Sequence, residues 1–136
     1  MRLIGIDPGL RRTGFGLIET KGRHQARYIG SGVIRPDASL SEPERLAELF
    51  AGLAEVLDHY QPEAAVIEQV FVNVNPRSTL SLGQPRGVAI AALAQRGLPV
   101  AELTPLRIKQ SIVGTGRATK DQVGHMVCRL LGPGKA

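Results

Sequence analysis

The sequence has a single cysteine, no tryptophan, two tyrosines and three phenylalanines in 136 residues. One cysteine, Cys128, cannot close an intramolecular disulfide, so a disulfide scaffold is excluded and a reducing, cytoplasmic setting is expected. No apolar run approaches the roughly 20 residues that a membrane helix requires, so no membrane association is expected. The opening Met1–Asp7 reaches an acid too early for a secretory signal peptide. There is no Walker A sequence, no dinucleotide-binding fingerprint and no evident Ser-His-Asp set. His24, His59 and His125 share no spacing that points to a metal site. No repeat, low-complexity tract or Pro/Gly/Ser-rich linker divides the chain, and the length is that of one domain. Negative charge is the scarcer sign: 17 Lys and Arg stand against 12 Asp and Glu, a net charge of +5. Such a surplus favours a polyanionic partner, with nucleic acid the first candidate.

Hydrophobic residues are 43% of the chain, enough for a core. Arg2–Asp7 holds the near-continuous apolar run Leu3-Ile4-Gly5-Ile6, expected of a strand covered on both faces. Pro8-Gly9 ends it, and Thr13–Glu19 reads as a second strand joined by a short antiparallel turn. Ala26–Arg35 reads as a third. Ser41 with Glu44 forms a capping box ahead of Leu46, Leu49, Phe50, Leu53, Leu57 and Tyr60, which share one helical face. Ala64–Ile67 is a short apolar strand ending in Glu68. Asn75-Pro76 opens a second helix that runs to Arg96 and stops at Gly97. Pro85 lies inside it, where proline costs about 3 kcal/mol, so a kink or break is expected near Leu82-Gly83. Leu98–Leu103 reads as a fifth strand, Thr104-Pro105 opens a short helix through Val113, and Thr119 with Gln122 caps a last helix with Val123, Met126, Val127, Leu130 and Leu131 as its apolar stripe. This order predicts a mixed α/β domain in which the fourth strand lies parallel to the first and beside it.

Asp7 and Glu68 then both end apolar strands at their carboxyl ends, where open α/β sheets place ligands. On neighbouring strands they would face each other across roughly 5 Å. Two carboxylates so close repel unless a cation joins them, and oxygen donors of this kind suit Mg²⁺ or Mn²⁺. Each acid taken alone is equally an ordinary solvated strand end; the pairing on central strands is what favours a metal site. The turn from Asp7 to Gly14 calls for unusual backbone angles at Gly9 and Gly14, either as a plain hairpin turn or as a loop whose amides approach a phosphate. Lys120, in the first turn of the last helix, opposes the helix dipole. A bound phosphate would account for it, as for Arg117 in the preceding loop, whereas a solvated surface charge is the plain alternative for both and for Lys109. Phe71, three residues after Glu68 and near Arg77, Ser78 and Thr79, could stack on a base or pack in the core.

The segments Gly5-Ile6-Asp7-Pro8-Gly9, Thr13-Gly14-Phe15-Gly16, Ala65-Val66-Ile67-Glu68-Gln69-Val70-Phe71, Leu82-Gly83-Gln84 with Arg86-Gly87-Val88-Ala89, and Val113-Gly114-Thr115-Gly116 leading to Lys120, Gln122-Val123 and Met126-Val127 resemble, in order and over essentially the whole chain, the RuvC family of bacterial Holliday-junction endonucleases. The resemblance implies a ribonuclease-H-like fold with a mixed five-stranded sheet, its first three strands antiparallel and helices flanking it. It also implies a homodimer that nicks two strands of four-way junction DNA symmetrically with Mg²⁺ during recombination and repair, alongside the RuvA–RuvB branch-migration complex. By motif, Asp7 and Glu68 match metal-binding acids, Lys109 and Lys120 active-site lysines, and Phe71 the aromatic near the junction centre; Arg77 and Arg117 join the expected DNA-binding set. Two departures stand out. The family continues into a helix with an Asp-Ala-x-Asp-Ala-Leu-Ala pattern that supplies further ligands, whereas this chain ends at Gly132-Pro133-Gly134-Lys135-Ala136. Either the natural chain continues into that helix or its ligands are lost; residues 1–136 are expected to form a single domain lacking the acidic helix, with a junction-binding module impaired in catalysis as the alternative. The second departure is Pro85, where the family usually has alanine in a helix of its dimer interface. A third reading, a phosphate-binding half-domain of the actin or sugar-kinase type, fits the Asp-x-Gly turn but not the short chain, which lacks a second such turn.

Overall fold

The computed structural model describes residues 1–21, 25–68 and 76–103, a few of these, Glu68 and Arg77 included, by their backbone alone. In chain order the elements are β1 (Arg2–Asp7), β2 (Thr13–Lys21), β3 (Gln25–Ile34), α1 (Glu42–Tyr60), β4 (Ala64–Glu68), α2 (Pro76–Gln95) and β5 (Val100–Leu103). The strands form one sheet in the order β3-β2-β1-β4-β5. β1 pairs antiparallel with β2 and parallel with β4, and β5 continues the parallel half. This is the mixed sheet expected from the sequence, with the fourth strand beside the first. The two helices expected after residue 103 lie outside the described residues.

Strand alternation sorts the core onto two faces. Ile4, Ile6, Phe15, Leu17, Ala65 and Ile67 join Leu49, Leu53 and Leu57 of α1 and Ala89, Ala92 and Leu93 of α2 in one buried cluster. Leu3, Ile18 and Val66 form a second cluster on the opposite face. β1 is therefore buried on both sides, which explains its unbroken apolar run. A register shift between Leu17 and Ile18 leaves Ile29 as an extra residue in β3, a bulge that increases strand twist. Beyond it, a Cβ on Gly30 would lie 2.8 Å from the Tyr60 hydroxyl, and one on Gly32 would lie 2.8 Å from Phe15 Cζ. These glycines open the space that the two aromatic rings fill.

The α1 start is built as expected. The Glu44 amide donates to Ser41 Oγ at 3.4 Å, and the Ser41 amide donates to Glu44 Oε1 at 3.0 Å. At the other end Gln61 takes a left-handed backbone, φ 52°, and its amide donates to the Leu57 carbonyl. Of the kink or break expected near Leu82-Gly83, the break does not occur: α2 runs from Pro76 to Gln95, although Pro85 lies inside it. Proline removes only the amide that would reach the carbonyl of Ser81, and its ring is fully buried. Apolar burial offsets the missing bond.

Ser41→Ala should lower stability by about 1 kcal/mol. The measurement is urea unfolding, with a lower midpoint and an unchanged slope.

Candidate metal and nucleic-acid site

The register of the central strands builds the site. Gly5 lies opposite Val66 and Ile6 opposite Ile67 on the parallel strand β4. The next residue on each strand is an acid. Asp7 and Glu68 thus hold corresponding positions at the carboxyl ends of adjacent strands, whose spacing is about 4.8 Å. By alternation both positions belong to the face that carries Leu3 and Val66. The expected juxtaposition of the two strand ends is met at the level of the backbone.

Asp7 is exposed at the sheet edge. Its carboxyl is nonetheless raised above the ordinary aspartate value, because surrounding protein strips part of its hydration; nearby Arg12 pulls in the other direction. A partly dehydrated carboxylate is a group that a cation would relieve. Among the described residues no group of three His, Cys, Asp or Glu side chains converges on a possible metal. A pair of carboxylates nevertheless fits a hard divalent ion that completes its shell with water and phosphate oxygens.

The turn after Asp7 is set by packing rather than by left-handed backbone. Among the described residues Gly97 is the one glycine with positive φ, so the angles expected at Gly9 and Gly14 do not occur. Gly9 is needed for a steric reason: a Cβ there would lie 2.4 Å from the Arg12 carbonyl oxygen. Buried Thr13 closes the turn, its Oγ1 accepting from the Gly9 amide at 3.1 Å and donating to the Gly9 carbonyl at 3.0 Å. Gly14 pairs with Asp7 across the β1–β2 ladder, and a Cβ there would meet nothing within 4 Å. Its missing side chain leaves open space on Asp7's face. Sequence reasoning missed Thr13, whose signal is a hydroxyl residue four positions after a glycine in a tight turn.

Arg77 is placed by its backbone at the second residue of α2. Phe71, Lys109, Arg117 and Lys120 lie outside the described residues. At the amino ends of β4 and β5, away from Asp7, a cleft is lined by Leu57, Asp58, Gln61, Pro62, Arg96 and Leu98.

The sheet order, with acids level on its two central parallel strands, defines a ribonuclease-H-like protein. A profile of the family described as crossover junction endodeoxyribonuclease RuvC matches residues 3–133. The RuvC of Polynucleobacter asymbioticus is 61% identical over 132 residues, covering 96% of this chain and 76% of that protein. That of Dechloromonas aromatica is 58% identical over 130 residues, covering 96% and 72%. Among solved structures, Thermus thermophilus RuvC in complex with a Holliday junction substrate superposes with a TM-score of 0.76 at 31% identity, covering 94% of this chain and 78% of that one. The yeast mitochondrial Holliday junction resolvase, at 12% identity and a TM-score of 0.58, shares the fold over 92% of this chain and 75% of its own. The chain belongs to the RuvC family of crossover junction endodeoxyribonucleases. Membership in a family of nucleases favours neither the binding-only reading nor the phosphate-binding half-domain.

Because the folded protein raises the Asp7 pKa, ionised Asp7 costs stability above that pKa, and the cost disappears as pH falls below the unfolded value of about 3.9. Asp7→Asn should therefore raise Tm at pH 7, and the gain should vanish in thermal melts below about pH 4.

Proposed function

We propose that this chain is a Holliday-junction resolvase: a homodimer that binds four-way junction DNA and cuts two strands symmetrically in recombination and repair. The observation that carries the reading is the level placement of Asp7 and Glu68 on β1 and β4 in a chain 61% identical to a named RuvC. The junction substrate bound to the Thermus thermophilus relative supports the same choice of DNA. In this reading residues 1–136 form one nuclease domain, the protein works in the cytoplasm, and it meets its substrate with the RuvA–RuvB complex.

The family is metal-dependent. Asp7 and Glu68 would hold Mg²⁺, with Mn²⁺ as a substitute, because two carboxylates supply hard oxygen donors and the charge that a divalent ion needs. When bound, such an ion supplies Lewis-acid stabilisation of the phosphate and makes water a stronger nucleophile. The hydrolysis it would assist is an in-line attack of water on phosphorus, in which the opposite P–O bond breaks, the water gives up a proton and the departing sugar oxygen takes one up. Lys109 and Lys120 offset negative charge on the phosphate through the reaction. Phe71 stacks on a base at the junction centre, and Arg77 and Arg117 contact neighbouring phosphates. The open space at Gly14 gives a phosphate access to Asp7.

Asp7→Asn and Glu68→Gln should each abolish junction cleavage while retaining binding in a gel-shift assay, since each change removes a ligand charge and preserves shape. Parent-like cleavage by either variant would remove that residue from the metal site. Lys120→Met should slow single-turnover cleavage about a hundredfold. Gly14→Val should block access without harming the fold. Single-turnover cleavage should fall by about tenfold or more, as small displacements of a reacting phosphate do, while Tm stays level or rises because glycine is a poor strand residue.

A further inference from the structure

Seven of the eight arginines whose side chains are described divide into two groups; the eighth, exposed Arg27, lies opposite Glu19 at the end of β3 away from Asp7. Arg2 pairs with Glu19 and donates to the Tyr60 carbonyl. Arg45 donates to the carbonyls of Leu40 and Ala38. Arg86 pairs with Glu102 across α2 and β5, and Arg96 pairs with Asp58. These four hold elements together. Arg11, Arg12 and Arg35 are exposed and form neither an ion pair nor a side-chain hydrogen bond among the described residues. All three fall at one edge of the sheet, the edge that carries Asp7.

The register makes that placement definite. Asp7 of β1 lies opposite Gly14 of β2, and the adjacent Thr13 lies opposite Ile34 of β3. Arg35 follows Ile34, so it leaves the sheet two strands from Asp7, a backbone separation of about 10 Å at ordinary strand spacing. Arg11 and Arg12 occupy the turn between β1 and β2, directly before Thr13. The turn is closed by both Thr13 hydrogen bonds to Gly9, so the two guanidinium stems start from a fixed backbone. The acid nearest Arg35 in sequence, Asp37, is engaged by the Ser39 amide and hydroxyl, and its own amide is held by Glu48. Among the described residues neither Asp7 nor Asp37 forms an ion pair with any of the three arginines.

We propose that Arg11, Arg12 and Arg35 form a phosphate-binding rim that grips the duplex arm leading away from the cut strand. The inference rests on the reading of the chain as a junction nuclease and adds a binding surface to that site. The chemistry is that of guanidinium forks on phosphate oxygens. A rim about 10 Å across spans about three phosphates of one strand at their axial spacing of about 3.4 Å. It reads no bases, so it holds any arm sequence equally and sets orientation rather than cleavage sequence.

The test compares the full chain with the triple variant R11Q/R12Q/R35Q. Binding to a long-armed junction is measured across a salt series, in Ca²⁺ to prevent cleavage, with a thermal melt as the check of folding. The slope of log K against log salt should fall by about 0.9 for each lost contact, about 2.7 for all three. On a junction trimmed close to the crossover, parent and variant should bind alike. The triple lysine variant should restore the parental slope, because the slope counts charges rather than forks. An unchanged slope in a folded variant, an equal loss on trimmed and long-armed junctions, or a slope that lysine fails to restore would each overturn the rim. If the parent itself neither binds nor cuts junctions, the nuclease reading fails, a result distinct from a parent that does both beside a variant with an unchanged slope.

Discussion

The parallel pairing of β1 with β4 is the constraint on which the rest depends. Each strand is short and apolar, and neither carries a catalytic arrangement alone. Their register brings Ile6 level with Ile67 and so delivers Asp7 and Glu68 to the same height at the sheet edge. A slip of one residue would turn one acid to the other face and exchange the side chains packed into the two buried clusters. Burial of Leu3, Ile4, Ile6, Val66 and Ile67, each 2% exposed or less, makes such a slip costly. The core and the site are thus set by one hydrogen-bonded ladder.

Around that ladder the structure keeps the near side of Asp7 open and ordered together. Gly14 contributes by having no side chain; Thr13 contributes by tying the turn to Gly9. The carboxyl remains partly dehydrated with only Arg12 to compensate it. Such a placement is unfavourable for stability and useful for ligand binding, and strained or underpaired groups are the ones that mark functional sites.

Much of this was legible in the sequence, because the determining physics is local. The Ser41–Glu44 capping box, the β1–β2 hairpin and the apolar runs ending in Asp7 and Glu68 are written in residue spacing. The resemblance to the RuvC family named Asp7 and Glu68 as metal-binding acids before the register aligned them. Two readings failed where packing overrode local preference. Gly9 and Gly14 look like left-handed turn residues, yet one avoids a backbone carbonyl and the other leaves open space beside Asp7; both features depend on three-dimensional neighbours. Pro85 looks like a helix breaker, yet burial of its ring in α2 offsets one lost hydrogen bond. The arginine edge was illegible for a related reason. Arg11 and Arg12 are separated from Arg35 by more than twenty residues, and only the β2–β3 register brings them to one edge.

The depth of β1 also governs how the protein loses its site. Its amides are enclosed between two ladders and two buried clusters, so they exchange with solvent only when the whole sheet opens. Asp7 and the Thr13-closed turn are anchored directly to that strand. Loops and helix ends can therefore fray without disturbing the acidic edge. Heat or denaturant should leave each molecule either with its β1–β4 edge intact or globally unfolded, with no population that keeps the fold but has lost that edge.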